Sequence, residues 1–163
     1  SRRPETRAAL AAKASERYGI TAKAAENIEA AVRGADLVLT ATNSASGMID
    51  ESWVAPGAVV AALDSAEPGK ALTEKADLFV VDSREQLKKE LIELFGTEAP
   101  SWIDATVAEV VSGKHPGRTS RDQRALIITQ GMASQDVALA YVAYKRALEQ
   151  KIGMSLPVEK PIG

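Results

Sequence analysis

Two short apolar runs, Leu37–Ala41 and Ala58–Leu63, stand out in a chain otherwise rich in alanine and charge. Their near-continuity predicts strands buried on both faces of a parallel sheet, because half-exposed strands alternate apolar and polar residues. Leu78–Val81 and Leu126–Thr129 are further strands, and Ile20–Lys23 is a short strand candidate. Between them the pattern shifts to helical spacing. Pro4 to Tyr18 is Ala-rich, with proline in the first turn and Gly19 placed to cap the end. Asn27 caps a helix over Ile28–Arg33 that Gly34 stops. Asp50–Val54 and Leu72–Lys75 are single helical turns. Asp82-Ser83 opens a helix over Arg84–Phe95, on which Leu87, Leu91, Ile92 and Leu94 form one apolar stripe. Ile103–Val111 is predicted helical. So is the stretch from Ala133 to about Lys151, with Val137, Ala140, Tyr141, Tyr144 and Leu148 on one side. Thr97–Pro100 and Ser112–Arg121 are loops, and the tail from Met154 is extended. Strands alternating with helices define a doubly wound α/β class.

Composition narrows the chemistry. At 163 residues, 45% hydrophobic and 26% charged, the chain can bury one substantial core. A net charge of −2 argues against a nucleic-acid or anionic-membrane partner. No apolar run reaches the roughly 18 residues a membrane span needs. With no cysteine in the chain, disulfides, thiolate metal sites and a cysteine nucleophile are excluded, which suits a reducing cytoplasmic setting. His115 is the single histidine, so a multi-histidine metal centre is excluded as well. Trp53 and Trp102 read as packing residues and Glu85–Glu93 as a charged helix face. Lys70 is placed either to reach a substrate carboxylate or to cap a helix.

The first strand ends in Thr40-Ala41-Thr42-Asn43-Ser44, a run of small hydroxyl and amide residues. In open α/β sheets ligands bind beyond the carboxyl ends of strands, so this is either a ligand-facing rim or a polar turn. A dinucleotide fold also needs a Gly-rich turn after its first strand, where a pyrophosphate approaches a helix N-terminus. No G-x-G-x-x-G occurs here. The chain starts at Ser1 rather than a methionine, which points to a piece of something longer.

Five segments, ADLVLTATNS, PGAVVAALDSAEPGK, ADLFVVDSREQ, AEVVSGKHPGRTS and LIITQGMASQDVALAYVAYKRALEQKIG, together resemble the ornithine cyclodeaminase/mu-crystallin family. They follow its order and spacing from Ala35 to Gly153. The resemblance implies a mostly parallel Rossmann-like sheet, incomplete at its N-terminus. It implies a partial NAD(P)-binding domain over residues 1–132 and a helix and tail over 133–163 directed towards a substrate/dimerisation domain. The first strand and Gly-rich turn would come from a missing N-terminal segment or a companion chain. A homodimer and a small amino-acid or imine substrate are the implied partners.

The resemblance also assigns roles. Ser1, Arg2 and Arg3 match the segment approaching the adenosine ribose. Two arginines with no acid there favour NADP(H) over NAD(H), since a 2′-phosphate suits a guanidinium and a ribose hydroxyl suits a carboxylate. Ala41, Thr42 and Asn43 match the segment lying along the cofactor, and Thr129-Gln130-Gly131-Met132 matches the segment near the nicotinamide, with Thr129 and Gly131 as its candidate contacts. Family cyclodeaminases carry an aspartate two residues before Pro-Gly-Lys. Here that position is Ala66, which transfers no proton, leaving Asp64 and Glu67 as the neighbouring acid/base candidates. Mu-crystallin-like members also lack the aspartate; they bind NADPH and reduce cyclic imines. The implied function is therefore an NAD(P)H-dependent imine reductase or amino-acid dehydrogenase. Ornithine cyclodeaminase and a non-catalytic NADP(H)-binding crystallin-like protein are the alternatives.

Overall fold

A computed structural model describes residues 3–44, 47–96, 103–154 and 156. The chain divides into two units, residues 1–130 and 131–163. The first holds a five-stranded sheet, with β1 (Leu37–Thr40), β2 (Val59–Ala62), β3 (Leu78–Val81), β4 (Ala105–Thr106) and β5 (Ala125–Ile128). Their order is β1-β2-β5-β3-β4, and every pairing is parallel. Helices α1 (Pro4–Tyr18) and α2 (Ile28–Val32) precede β1; a 3-10 turn at Glu51–Trp53 and helices α3 (Lys70–Lys75), α4 (Arg84–Phe95) and α5 (Val107–Val111) lie between successive strands. The second unit contains α6 (Ala133–Gln150), none of whose residues is buried. Its apolar residues Val137, Tyr141, Tyr144 and Leu148 are all exposed. Among the described residues no helix is long and apolar enough to cross a membrane.

Strand periodicity divides the core between two faces. On one, Val60, Ala62, Phe79, Val81, Leu126 and Ile128 pack with Leu72 of α3 and with Leu87 and Leu91 of α4. On the other, Leu78, Val80 and Ala125 pack with Ala105 and with Val107 and Val110 at α5. β3 is therefore buried on both faces. β1 is not. Leu37 and Leu39 are 63% and 66% exposed, because they share a face with Val59 and Ala61 that no described helix covers at that edge. The buried-both-faces reading of Leu37–Ala41 is corrected accordingly.

Helix ends follow local chemistry. The side chains of Asn27 and Ser83 accept the backbone N–H groups of Ala30 and Gln86, and Gly19 and Gly96 close α1 and α4 at φ 64°. Two expectations fail. Ile20–Lys23 forms no strand. The expected helix over Ile103–Val111 begins only at Val107, because Ala105 and Thr106 pair with Val80 and Val81 as an edge strand. A capping box then starts α5: Thr106 Oγ1 accepts from the Glu109 N–H at 3.2 Å, and Glu109 Oε2 accepts from the Thr106 N–H at 2.7 Å. Arg84 clamps the same carboxylate at 2.7 Å and donates to the Asp104 carbonyl at 3.0 Å.

Those contacts generate a pH dependence. The Thr106 N–H, the Arg84 guanidinium and the Thr106 hydroxyl hold the Glu109 carboxyl down from 4.5 to about 2. A carboxyl depressed on folding contributes stability that is complete above its unfolded value and lost as pH falls through its folded one. Urea midpoints of wild type and Glu109→Gln should thus differ most at neutral pH, and the gap should close between pH 4.5 and about 2. A gap independent of pH would overturn this. The core makes a second prediction. Leu87→Ala should cost about 2–5 kcal/mol of unfolding free energy by leaving a cavity. Ile92→Ala, on the same helix at 43% exposure, should cost less than about 1 kcal/mol.

Candidate functional site

Parallel pairing brings the carboxyl ends of β1, β2 and β5 to one edge, where an open cleft of about 460 Å³ forms. Thr42, Asn43 and Ser44, following β1, make one wall, and Asp64, Ser65 and Ala66, following β2, make the second. Glu90 and Glu93 of α4 and Gln130 after β5 complete it. The strand ladders extend into these loops: the Leu63 N–H donates to the Thr40 carbonyl at 3.2 Å, and the Thr129 N–H to the Ala62 carbonyl at 3.0 Å.

Each wall is braced by its own hydrogen bonds. Thr42 Oγ1 accepts from the Ser44 N–H at 3.1 Å. Asp64 Oδ1 accepts from the Ala66 N–H at 2.8 Å. Ser65 Oγ donates to Glu90 Oε2 at 2.9 Å, and Gln130 Nε2 donates to the same oxygen. Among the described residues, three carboxylates and no basic side chain line the cleft. Its field therefore favours hydroxyl-bearing or cationic groups over phosphate.

Glu67 is fully buried and is not among the lining residues. Thr40 Oγ1 donates to its Oε2 at 2.7 Å, and the Thr42 N–H donates to its Oε1. Burial pushes its pKa upward, but the hydrogen bonds from Thr42 and Thr40 outweigh that and hold the carboxyl below its usual range. The Glu67 backbone carbonyl accepts from Met48 at 2.9 Å. Beside this contact the two loops meet backbone to backbone, and a Cβ on Gly47 would lie 2.5 Å from Gly69 Cα. A Cβ on Gly69 would lie 3.1 Å from Gly47 Cα, and the +77° φ of Gly69 favours glycine there as well.

The residues singled out from the sequence separate into groups. Thr42, Asn43, Asp64 and Ala66 come together around the cleft, with Ala41 beside them at the end of β1. Thr129 is half-buried at the end of β5, next to the lining Gln130. Gly131, with φ +84°, opens the second unit. Arg3 occupies the N-cap of α1 and does not line the cleft, while Ser1 and Arg2 lie outside the described residues, as does Trp102. Lys70 starts α3 with Nζ 3.7 Å from Glu74. His115 Nδ1 accepts from the Gly117 N–H at 3.2 Å, a loop-shaping role. The sequence places Gln130 in the segment near the nicotinamide and Glu90 and Glu93 on a charged helix face, but does not single out Ser65. Positions 90 and 93 are three apart and so share a helix side, one that borders the buried Leu87, which is why the sequence pattern reads them as part of a charged face.

Comparison with known proteins completes the description. The chain is 31% identical over 138 residues to N-((2S)-2-amino-2-carboxyethyl)-L-glutamate dehydrogenase of Staphylococcus aureus, covering 82% of this chain and 41% of that protein. It is 31% identical to alanine dehydrogenase of Archaeoglobus fulgidus (74% of this chain, 40% of that one). With ketimine reductase mu-crystallin of Mus musculus it shares 31% identity (72% and 38%). It thus spans about two-fifths of the length of these relatives. Among solved structures, Δ(1)-pyrroline-2-carboxylate reductase of Thermococcus litoralis, in complex with NADH and L-proline, shares the fold. Its TM-score is 0.78 at 24% identity, over 95% of this chain and 51% of that one. An archaeal alanine dehydrogenase dimer with bound NAD matches with a TM-score of 0.73 at 29% identity, over 89% and 47%. The sequence profile of one family matches residues 1–151, and with the Rossmann-like parallel sheet it fixes the assignment: the chain belongs to the ornithine cyclodeaminase/mu-crystallin family.

Proposed function

We propose that this chain is the cofactor-binding portion of an NAD(P)H-dependent oxidoreductase that reduces a small imine or interconverts an amino acid and its oxo acid. The observation that carries this reading is the cleft, where the small polar wall at Thr42, Asn43 and Ser44 faces Asp64 across the carboxyl ends of adjacent parallel strands. Named activities of the relatives, reductases and dehydrogenases of amino acids and cyclic imines, support the reaction class. Because the chain spans about two-fifths of those relatives, the Gly-rich turn and most substrate contacts are assigned to polypeptide beyond this stretch, and a homodimer is the proposed assembly.

The lining fits one end of a nicotinamide dinucleotide. Carboxylates accept hydrogen bonds from ribose hydroxyls, whereas a diphosphate would be repelled by Asp64, Glu90 and Glu93. When bound, the nicotinamide supplies or accepts the hydride. Thr42, Asn43 and Ser44 would hold its ribose side through their hydroxyl and amide groups. Asp64, with Oδ1 committed to the Ala66 N–H, has its second oxygen to hold or move a proton at the substrate nitrogen. Ala66 removes the carboxylate that cyclodeaminase chemistry uses, which favours reduction over ammonia elimination. NADP(H) is preferred to NAD(H) on the strength of two arginines, Arg2 and Arg3, in the segment whose family counterpart approaches the adenosine ribose.

Turnover with Δ(1)-pyrroline-2-carboxylate, and with pyruvate plus ammonia, tests this by following reduced-nicotinamide absorbance. NADPH should support faster oxidation than NADH, and Arg2→Ala/Arg3→Ala should narrow that preference. Asp64→Asn should lower kcat by roughly 10²–10⁴-fold with intact dinucleotide binding. Dinucleotide binding without turnover would favour a non-catalytic binding protein, and ammonia release from ornithine would favour the cyclodeaminase.

A further inference from the structure

We propose that Glu67 is a positioning residue: its buried carboxylate sets the shape of the Thr42–Asn43–Ser44 wall, and through that wall the affinity for the ligand. This goes beyond the assignment of the cleft and rests on the cofactor reading only for the identity of that ligand. Three segments converge on this one residue. Its side chain receives the Thr40 hydroxyl at 2.7 Å and the Thr42 N–H. Its backbone carbonyl receives the Met48 N–H at 2.9 Å, and its own N–H donates to the Asp64 carbonyl at 3.4 Å. The loop after β1 and the loop after β2, which form opposite walls, are thereby tied to each other at a point that ligand does not reach.

The chemistry favours positioning over proton transfer. Both carboxylate oxygens are engaged by protein donors, and the residue has 0% exposure, so neither faces the cleft. A buried carboxylate stabilises only when its hydrogen bonds are made, and its cost enforces the one backbone geometry that makes them. At Thr42 that geometry has a direct consequence. With its N–H held from below by Glu67, the Thr42 hydroxyl is set to accept the Ser44 N–H at 3.1 Å, and residues 42–44 form a fixed turn along the cleft. An apolar residue of similar volume would leave the Thr42 N–H and the buried Thr40 hydroxyl without their acceptor, and the turn would lose its anchor.

Amide hydrogen exchange on wild type, Glu67→Met and Glu67→Gln, with parallel titrations of NADPH and NADH, tests the proposal. In Glu67→Met, exchange at Thr42 and Ser44 should accelerate roughly tenfold or more while amides of β3 and β5 keep wild-type protection, and NADPH affinity should fall roughly tenfold. Glu67→Gln should restore both, because its amide oxygen accepts from Thr42 and its NH₂ donates to Thr40 Oγ1. Unchanged exchange at Thr42 and Ser44 in folded Glu67→Met, or a loss of protection spread evenly over the sheet, would overturn the proposal. If Glu67→Met does not fold, Thr40→Val, which removes one donor, decides by the same local pattern. Should wild type bind neither dinucleotide, the cofactor reading falls, while the exchange pattern still decides the role of Glu67.

Discussion

Parallel pairing is the constraint on which the rest of the molecule depends. Strands that run the same way must deliver their carboxyl ends to the same edge, so residues far apart in sequence arrive together there. Thr42, Asp64 and Gln130 belong to three different strand exits, yet they line one cleft because β1, β2 and β5 are neighbours in the sheet. The cleft is a product of topology before it is a product of side chains. What the side chains add is sign: carboxylates from the β2 loop and from α4 give it a negative character that the chain's net charge of −2 does not reveal.

Much of this was legible in the amino-acid sequence where local signals agreed with one another. The range of α4 was readable because Ser83 caps it and Leu87 and Leu91 face the core, two cues pointing the same way, and the structure adds Gly96 as its left-handed end. β3 was readable because both of its faces are buried. β1 looked the same in sequence but lies at an edge, and no local pattern records whether a neighbouring layer covers Leu37 and Leu39. β4 was illegible for a related reason. Ala105 and Thr106 form a strand only because β3 offers them a partner, and that partner lies over twenty residues away.

At the site, sequence identified the loops but not the direction in which their side chains turn. Asp64 and Glu67 were indistinguishable as neighbouring acids before a Pro-Gly turn. Burial separates them: Asp64 faces the cleft, and Glu67 turns beneath β1 to meet Thr40 and Thr42. Such a turn depends on a hydroxyl and an amide about twenty-five residues upstream, a pairing that neither spacing nor composition encodes. Ala66 was legible in the opposite sense, because a missing functional group is visible in sequence wherever its position is known.

The contact between Gly47 and Gly69 bears on how this site can diversify. Because the two glycines meet main chain to main chain, a side chain at Gly47 would part the loops, and one at Gly69 would crowd Gly47 from a left-handed backbone. The junction is thus closed to evolutionary tinkering, and new ligand preferences must be written elsewhere. Asn43 and Ser44 on one wall and Glu93 on α4 are the places where substitution can reshape the cleft while its foundation stays as it is.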